Sequence, residues 1–275
     1  PVYYYIAPKV WAWKTYRVRQ LKREMSGVLT IFPFETDFFK KHGLKVHYVG
    51  NPTVDAIHFF LDTDSSDEIS FRESHGLSKK PIIALLPGSR RQEISACLPE
   101  MLKAAFQFSG YTVIVSGAPG IEPDFYSSIM NSYPNAKLIT GQTYRIVHFS
   151  TAAVVNSGTA SLETALLSIP QVVVYHVRGG RFAYWLKDRI IKIPYISLVN
   201  ILMNRQVVTE LVAHLMTAEN IAVELKKLLR SKKVQKRMLA DYFELQKQLG
   251  EPGTASRAAD FLTQDLIRIR KVNMP

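Results

Sequence analysis

Residues 154–166 read VVNSGTASLETAL and set the pattern from which the fold can be predicted. An apolar run stops at Asn-Ser-Gly-Thr and resumes as a helix-forming segment that carries one carboxylate, Glu163. This order predicts a buried strand, a tight turn and a capped helix. Free N–H groups at a helix start attract phosphate, and Gly158 lets a ligand approach the backbone closely, so the junction also suits a nucleotide. The stretch alone leaves both interpretations open.

Another junction of the same kind lies upstream, in PIIALLPGSRRQEI (81–94). Gly88 and Ser89 can present N–H groups there, and Arg90 supplies a fixed positive charge to a diphosphate. The alternative is a tight turn with solvated arginines, in which Glu93 is a first-turn carboxylate favoured by the helix dipole. Ligands of open parallel sheets bind beyond the carboxyl ends of the strands, so we expect both junctions at one edge of a sheet.

The junction in VVNSGTASLETAL offers more than backbone groups. Ser157, Gly158 and Thr159 can bind phosphate through amides and hydroxyls, and Glu163, about one turn further on, can accept hydrogen bonds from ribose hydroxyls, as acidic residues do in other nucleotide folds. A third stretch places Asn200 among apolar residues. Polar groups embedded in this way are often simply hydrogen-bonded inside the protein, so its ligand role needs outside support.

Strand-like and helix-like segments alternate along the chain. Residues 1–51 read as strand, helix, strand, helix, strand, which is typical of the end of an α/β domain. An acidic, serine-bearing linker covers 52–80. Residues 81–275 contain several short apolar strands separated by helices, which predicts a parallel sheet covered on both faces, followed by long helices.

Composition limits the function classes. The chain has 275 residues, 47% apolar and 21% charged, and a formal net charge of +12, which favours anionic partners. The single cysteine, Cys97, excludes an internal disulfide and fits a reducing cytoplasm. No apolar run is long enough to span a bilayer, the histidines lack metal-ligand spacing, and motifs for nucleic-acid recognition are absent.

Aromatic and basic residues interleave in VWAWKTYRVRQLKR (10–23) and RGGRFAYWLKDRIIK (178–192). Such mixtures suit a membrane interface with anionic lipid, or contact with acyl chains. Ordinary helices that pack aromatic residues inward and expose charge explain each stretch equally well. The candidate membrane or acyl-chain contacts are Trp11, Trp13, Arg17, Arg181 and Trp185.

Several motifs occur together and in order: YYIAPKVWAWKTYRV, FPFETDFF, YVGNPTVD, ALLPGSRRQEI, NSGTASLE and YISLVNILMNR. With them the sequence resembles the lipid-A-disaccharide synthases of Gram-negative bacteria from about residue 3 to residue 215. The resemblance implies an α/β fold of GT-B type, with two Rossmann-like domains of which the N-terminal one is truncated, and an active site in the cleft between them.

The family joins UDP-2,3-diacylglucosamine to 2,3-diacylglucosamine 1-phosphate, inverts the anomeric centre and releases UDP, with no metal or other cofactor. The resemblance therefore implies these substrates, a cytoplasmic location on the inner face of the inner membrane, an anionic membrane surface as partner, a possible homodimer and no nucleic-acid partner. Carried over by motif, the UDP-sugar-binding residues are Gly88, Ser89, Arg90, Glu93, Ser157, Gly158, Thr159, Glu163 and Asn200. The family usually has proline where this chain has Val199, which leaves the backbone near Asn200 less certain.

The resemblance assigns no catalytic residue to this chain. The aspartate credited with proton removal in the family lies upstream of YYIAPKVWAW, so we expect it before residue 1 and expect the chain to be a fragment without its base. Two other hypotheses stay open: another UDP-sugar-using GT-B enzyme or UDP-sugar epimerase, and a non-catalytic binder of anions or nucleic acid. Stabilisation by UDP would favour the synthase or another UDP-sugar enzyme, whereas stabilisation by nucleic acid would favour the non-catalytic binder.

Overall fold

A computed structural model describes residues 1–11, 15–177 and 194–272. A small sheet of three parallel strands comes first, in the order β1-β2-β3. Its elements are β1 (Tyr3–Tyr5), a 3₁₀ turn (Thr15–Arg17), α1 (Val18–Glu24), β2 (Gly27–Thr30), α2 (Pro33–Lys41) and β3 (Val46–Tyr48). The predicted alternation of strand and helix over residues 1–51 is therefore present.

Two helices follow where the sequence predicts an exposed linker. They are α3 (Pro52–Thr63) and α4 (Glu68–Ser74). The polar residues that indicated a linker act partly as helix caps, since the Asp67 carboxylate accepts the Ser70 N–H at 2.7 Å. At the end of α3, Asp64 forms a two-pronged ion pair with Arg145, at 2.6 and 3.0 Å, so this segment is fixed against the next unit.

The large sheet has six parallel strands in the order β6-β5-β4-β7-β8-β9. They are β4 (Ile82–Leu86), β5 (Thr112–Gly117), β6 (Lys137–Thr140), β7 (Ala152–Asn156), β8 (Gln171–Tyr175) and β9 (Thr209–Val212). Every residue of β4 and β7 is buried, because helices cover both faces of a parallel sheet. The sequence did not predict β9, which lies within an apolar stretch that lacks clear strand boundaries.

The helices of the large unit connect these strands and cover the sheet. They are α5 (Arg91–Ala105), α6 (Pro123–Met130), α7 (Thr143–His148), α8 (Thr159–Leu166), α9 (Leu198–Met203), a 3₁₀ turn (Ala213–Leu215), α10 (Ala218–Arg230) and α11 (Lys232–Leu249). One extended hydrophobic core joins strands and helices. The alternation and the sheet order confirm the predicted α/β fold with a parallel sheet.

The last helix, α12 (Thr254–Val272), returns to the small sheet. The sequence groups it with residues 81–275, whereas Asp265 on this helix accepts the Tyr3 hydroxyl at 2.6 Å and pairs with Lys45. Ala258 packs with Leu29 and Val49 in a separate apolar cluster. The helix is therefore part of the small unit in space, a long-range contact that local sequence periodicity does not encode.

Candidate functional site

The two glycine-bearing junctions lie side by side in the structure. β4 pairs with β5 on one side and with β7 on the other, and all these strands are parallel. From β4 the chain adds strands toward one edge of the sheet, and from β7 it adds them toward the other edge, so the strand order switches between β4 and β7. In open parallel sheets this switch point opens a crevice beyond the carboxyl ends of the strands, where ligands bind. β4 ends at Leu86 and β7 ends at Asn156, which places the loops 87–90 and 157–158 at this crevice.

At the first junction, residues 87–90, the Glu93 carboxylate binds backbone N–H groups of the loop. Glu93 Oε2 accepts the N–H groups of Ser89 and Arg90, at 3.0 and 3.3 Å, and Glu93 Oε1 accepts Arg90 Nη1 at 3.1 Å. Gly88 makes room for this arrangement with a φ of 115°. The expectation that Gly88 and Ser89 present free N–H groups to a phosphate is wrong for Ser89, because the third residue of α5 accepts its N–H and that of Arg90, as in a capping box.

Arg90 remains the available group at this junction. Its side chain is 81% exposed, and its pairing with Glu93 leaves other N–H donors of the guanidinium free to turn toward a ligand. The junction therefore offers a positive side chain rather than backbone amides.

The second junction, residues 157–158 and the start of α8, has no side chain bound to its helix start. Gly158 is in an extended conformation, α8 begins at Thr159 with no capping side chain, and its first turn has no acidic residue. Ser157 Oγ donates to the Ile196 carbonyl at 3.2 Å, and Ser161 Oγ donates to the Gly158 carbonyl at 2.8 Å, so these hydroxyls hold the loop in shape. The Ser161 N–H donates to the Gly158 carbonyl at 3.3 Å, and no side chain caps the N–H groups before it, so this helix start is a ready-made anion site.

Glu163 lies one turn into α8. Its Oε1 accepts the Tyr144 hydroxyl at 3.2 Å, and burial raises the pKa of its carboxyl. Burial, together with the neighbouring Glu163 charge, raises the pKa of Tyr144 to about 12, so this tyrosine stays a donor. The glutamate keeps acceptor capacity for a second donor, as a ribose hydroxyl would supply.

One cavity of about 520 Å³ joins the two junctions. All of the nine predicted nucleotide-binding residues except Asn200 line it: Gly88, Ser89, Arg90, Glu93, Ser157, Gly158, Thr159 and Glu163. A second cavity of about 810 Å³ adjoins it, shares Pro119, Thr143 and Glu163, and has Phe60 and Tyr144 in its wall. Glu163 therefore lies between a polar compartment and a more aromatic one.

Asn200 has a different position from the predicted one. Its side chain is fully buried, and its amide oxygen accepts the N–H groups of Val207 and Val208 at 2.8 and 2.9 Å. Its amide nitrogen donates to the Val208 carbonyl and to Glu210, at 2.9 and 2.8 Å. Every hydrogen-bonding position of the amide is used, so the side chain organises the turn before β9 and has none left for UDP.

Of the five predicted membrane or acyl-chain contacts, the structure describes Trp11 and Arg17. Trp11 is half-buried, because its indole N–H donates to Glu35 at 3.0 Å and its ring packs edge-on against Phe34. Arg17 is exposed, next to Tyr16, which is 72% exposed. Trp13, Arg181 and Trp185 lie outside the described residues.

Sequence reasoning missed several residues of the cavity wall. Lys9 comes from the small unit, Ser116 from the end of β5, and Thr143 from the start of α7, just after β6. The Ser116 and Thr143 hydroxyls lie 2.8 Å apart. Asn156 ends β7, and its amide oxygen accepts the buried Cys97 thiol at 3.6 Å. The signal that these residues share is position at the carboxyl end of a parallel strand, where ligands bind in this class of fold.

A family model described as lipid-A-disaccharide synthetase matches residues 1–263. The chain belongs to the lipid-A-disaccharide synthetase family. Curated relatives of this family agree: the lipid-A-disaccharide synthase of Myxococcus xanthus (strain DK1622) is 40% identical over 266 residues, covering 94% of this chain and 68% of that protein. The corresponding synthase of Solibacter usitatus (strain Ellin6076) is 33% identical over 264 residues, covering 94% and 67%. This family member thus spans about two thirds of the length of these relatives.

Solved structures with the same fold include UDP-sugar enzymes. A putative UDP-N-acetylglucosamine 2-epimerase from Listeria monocytogenes gives a TM-score of 0.58 at 14% identity, with 91% of this chain and 62% of that one covered. UDP-GlcNAc 2-epimerase from Neisseria meningitidis, solved with UDP-GlcNAc bound, gives 0.58 at 11% identity, covering 96% and 75%. These likenesses confirm the GT-B type of fold predicted for this synthetase family member and do not choose between transferase and epimerase.

Within the part of the chain that the structure describes, no helix combines the length and the apolarity needed to cross a membrane.

Proposed function

We propose that this chain binds the donor nucleotide of a lipid-A-disaccharide synthase, with the diphosphate between the start of α8 and Arg90. The observation that carries the proposal is the convergence of both junctions at the β4/β7 switch point, in one cavity, with an open helix start on one side and a guanidinium on the other. An uncapped helix start and a cation are the two features that stabilise a leaving diphosphate.

The same geometry supports a position for the nucleoside beside Glu163. Glu163 follows the helix start by one turn and faces the larger cavity with Phe60 and Tyr144. A ribose placed beyond the diphosphate would donate its hydroxyls to the Glu163 carboxylate, and the aromatic compartment next to it suits the flat base. The sugar would then extend from the diphosphate toward the small unit.

The proposed reaction joins UDP-2,3-diacylglucosamine to 2,3-diacylglucosamine 1-phosphate. The acceptor 6-hydroxyl attacks the anomeric carbon of the donor from the face opposite UDP, the bond from that carbon to the diphosphate oxygen breaks, and UDP leaves with the electron pair. The hydroxyl proton passes to a general base, for which no residue of this chain is assigned. Arg90 and the α8 start act on the charge that develops on the departing diphosphate.

We also propose that the enzyme works at the inner face of the inner membrane, as a peripheral protein and a homodimer. Support for the membrane contact comes from α1 and the turn before it, where Tyr16 is exposed among Arg17, Arg19 and Lys22. The dimer rests on family resemblance alone. Cosedimentation with vesicles that contain anionic lipid is expected at low salt, and its absence at every salt concentration would contradict the membrane contact.

Nucleotide binding tests the proposed function directly. UDP is expected to raise the melting temperature of the chain and to bind in calorimetry, because a ligand that binds the folded state stabilises it by mass action. Single-stranded and duplex nucleic acid are the comparison, since the net charge of +12 also favours them. Stabilisation by nucleic acid with a steep salt dependence, and none by UDP, would overturn the proposal.

A further inference from the structure

A short loop after β1 brings a lysine to the cleft. Ile6 has a φ of 62°, in the left-handed region that β-branched residues rarely adopt. The Ala7 N–H donates to the Leu29 carbonyl at 3.2 Å, and both Ala7 and Val10 are buried, each 4% exposed. Lys9 is exposed between these two buried anchors. The backbone of the loop is thus fixed while the lysine side chain reaches outward.

Lys9 lines the cavity that holds Arg90 and the start of α8. The rest of the lining runs from residue 86 to residue 163, so among the described residues Lys9 is the one contribution of the small unit to this wall. It also lies at the carboxyl end of a parallel strand, the edge of the small sheet that corresponds to the ligand-binding edge of the large one. The cavity therefore has two cations in its wall, from two different units.

A buried carboxylate lies behind this loop. Glu35 is 1% exposed, accepts the Trp11 indole N–H at 3.0 Å and accepts the Phe32 N–H at 3.3 Å. Burial raises the pKa of Glu35, and the Trp11 hydrogen bond and the nearby Lys9 charge act in the opposite direction. Trp11 also packs edge-on against Phe34, with ring centroids 4.8 Å apart. Both ends of the stretch 7–11 are therefore fixed, one by β2 and the other by Glu35.

We propose that Lys9 is a second phosphate-binding cation of the cleft, which contacts the diphosphate of a bound UDP nucleotide together with Arg90, and that the Trp11–Glu35 pair positions its loop. The inference rests on the proposed function, because it takes UDP as the ligand of this cavity. A lysine is suited to this task as a point charge on a flexible stem, able to follow the diphosphate as the bond to the sugar breaks.

The test compares three variants of the 275-residue chain: Lys9→Gln, Lys9→Arg and Lys41→Gln. Lys41 is an exposed lysine at the end of α2, and its replacement removes the same charge from the same unit away from the cavity. Calorimetry with UDP, UMP and uridine gives the readout. Lys9→Gln is expected to weaken UDP binding about tenfold, the size of one charge-assisted contact, to affect UMP less and to leave uridine unchanged. Lys9→Arg is expected to restore most of the affinity, and Lys41→Gln to match the wild type.

A double-mutant cycle tests the positioning pair. Trp11→Phe removes the indole N–H and keeps an aromatic ring, so it is expected to weaken UDP binding in the wild type and to have no further effect in Lys9→Gln. Equal and additive losses in both backgrounds would show that Trp11 acts on binding independently of Lys9 and would overturn the positioning role.

The outcomes also separate this inference from the function on which it rests. UDP binding that Arg90→Ala weakens but Lys9→Gln leaves unchanged would overturn the role of Lys9 and keep the proposed function. A wild-type chain that binds no UDP would overturn both. Equal losses for Lys9→Gln and Lys41→Gln would assign the effect to overall charge and would also reject the proposal.

Discussion

The two switch-point junctions share one sequence pattern and differ in what they offer a ligand. Both follow a buried parallel strand, contain a glycine and begin a helix. At the first, Glu93 takes the N–H groups of Ser89 and Arg90, so the loop presents a guanidinium. At the second, the start of α8 has no capping side chain, so the loop presents backbone amides. In the proposed diphosphate site, the first junction supplies a cation and the second supplies a helix start.

The largest effect that this comparison predicts comes from the glycines. A Cβ at Gly88 would lie 2.6 Å from Glu93 Oε2 and 2.7 Å from Asn156 Nδ2, at a φ of 115°, whereas a Cβ at Gly158 would meet nothing within 4 Å. Gly88→Ala is expected to cost roughly 1–3 kcal/mol of folding free energy from backbone strain alone, and to weaken UDP binding because the Cβ displaces Glu93 and with it Arg90. Gly158→Ala should stay within about 0.5 kcal/mol of the wild type. Urea denaturation measures both, and equal stabilities would break the distinction.

The arginines give the next effect. Arg90 lines the cavity, whereas Arg91 stacks over the Phe125 ring, with Cζ 5.0 Å from its centroid. Arg90→Ala is expected to weaken UDP binding about 10- to 100-fold with little change in stability, since a charge-assisted contact to phosphate is worth about 1.5–3 kcal/mol. Arg91→Ala is the matched control and should bind UDP like the wild type. Calorimetry that finds the two variants alike would contradict the cation role assigned to Arg90.

Glu163→Gln tests the ribose contact through its pH dependence. Burial raises the pKa of Glu163, so as pH falls the carboxylate takes up a proton earlier than an ordinary glutamate and loses an acceptor for ribose. The wild type is expected to bind UDP about tenfold better than Glu163→Gln at neutral pH, with the ratio falling toward one in acid. Comparing the two proteins at each pH cancels the titration of the phosphate itself. A ratio independent of pH would reject the contact.

The same pKa shift predicts that Glu163→Gln, which weakens UDP binding, stabilises the empty protein at neutral pH. A carboxyl whose pKa is raised on folding stabilises the fold in its protonated form, and that contribution is lost as pH rises through the folded-state pKa. The empty Glu163→Gln protein is therefore expected to melt slightly above the wild type at neutral pH and at the same temperature in acid. A lower melting temperature at neutral pH would mean that the carboxylate stabilises the empty site.

The smallest binding effect is expected for Glu93→Gln. The change weakens the acceptor that holds the Ser89 and Arg90 N–H groups, which should cost about 1 kcal/mol of folding free energy. UDP affinity should change less than about threefold, because the diphosphate is assigned to the start of α8 and not to these amides. A large gain in affinity would show that Glu93 competes with the ligand for the first junction.

Local pattern predicted most of the fold and left out what depends on contacts far apart in sequence. The apolar runs before Gly88 and Gly158 identified β4 and β7, and their neighbourhood followed from the edge rule for parallel sheets. The helices in the predicted linker were missed because their caps, such as Asp67, resemble loop residues. The return of α12 to the small sheet depends on pairings such as Asp265 with Tyr3, which no periodicity reveals.

The candidate site shows the same limit. Residues within the two junctions could be predicted because turn chemistry and helix starts are local. Asn200 was assigned to the ligand by motif resemblance, since the sequence alone does not distinguish a polar residue that meets a ligand from one that organises the turn before β9. Lys9 was missed because an exposed lysine carries no signal of its own, and only the placement of the β1 loop against the large unit gives it a role.

A crystal structure of the chain with UDP would show where the diphosphate binds. We expect diphosphate oxygens at hydrogen-bonding distance, roughly 2.7–3.2 Å, from N–H groups in the first turn of α8, with Arg90 on the other side and Glu93 still bonded to Ser89. A diphosphate on the Ser89 and Arg90 amides with Glu93 displaced, or a nucleotide bound away from both junctions, would contradict this expectation.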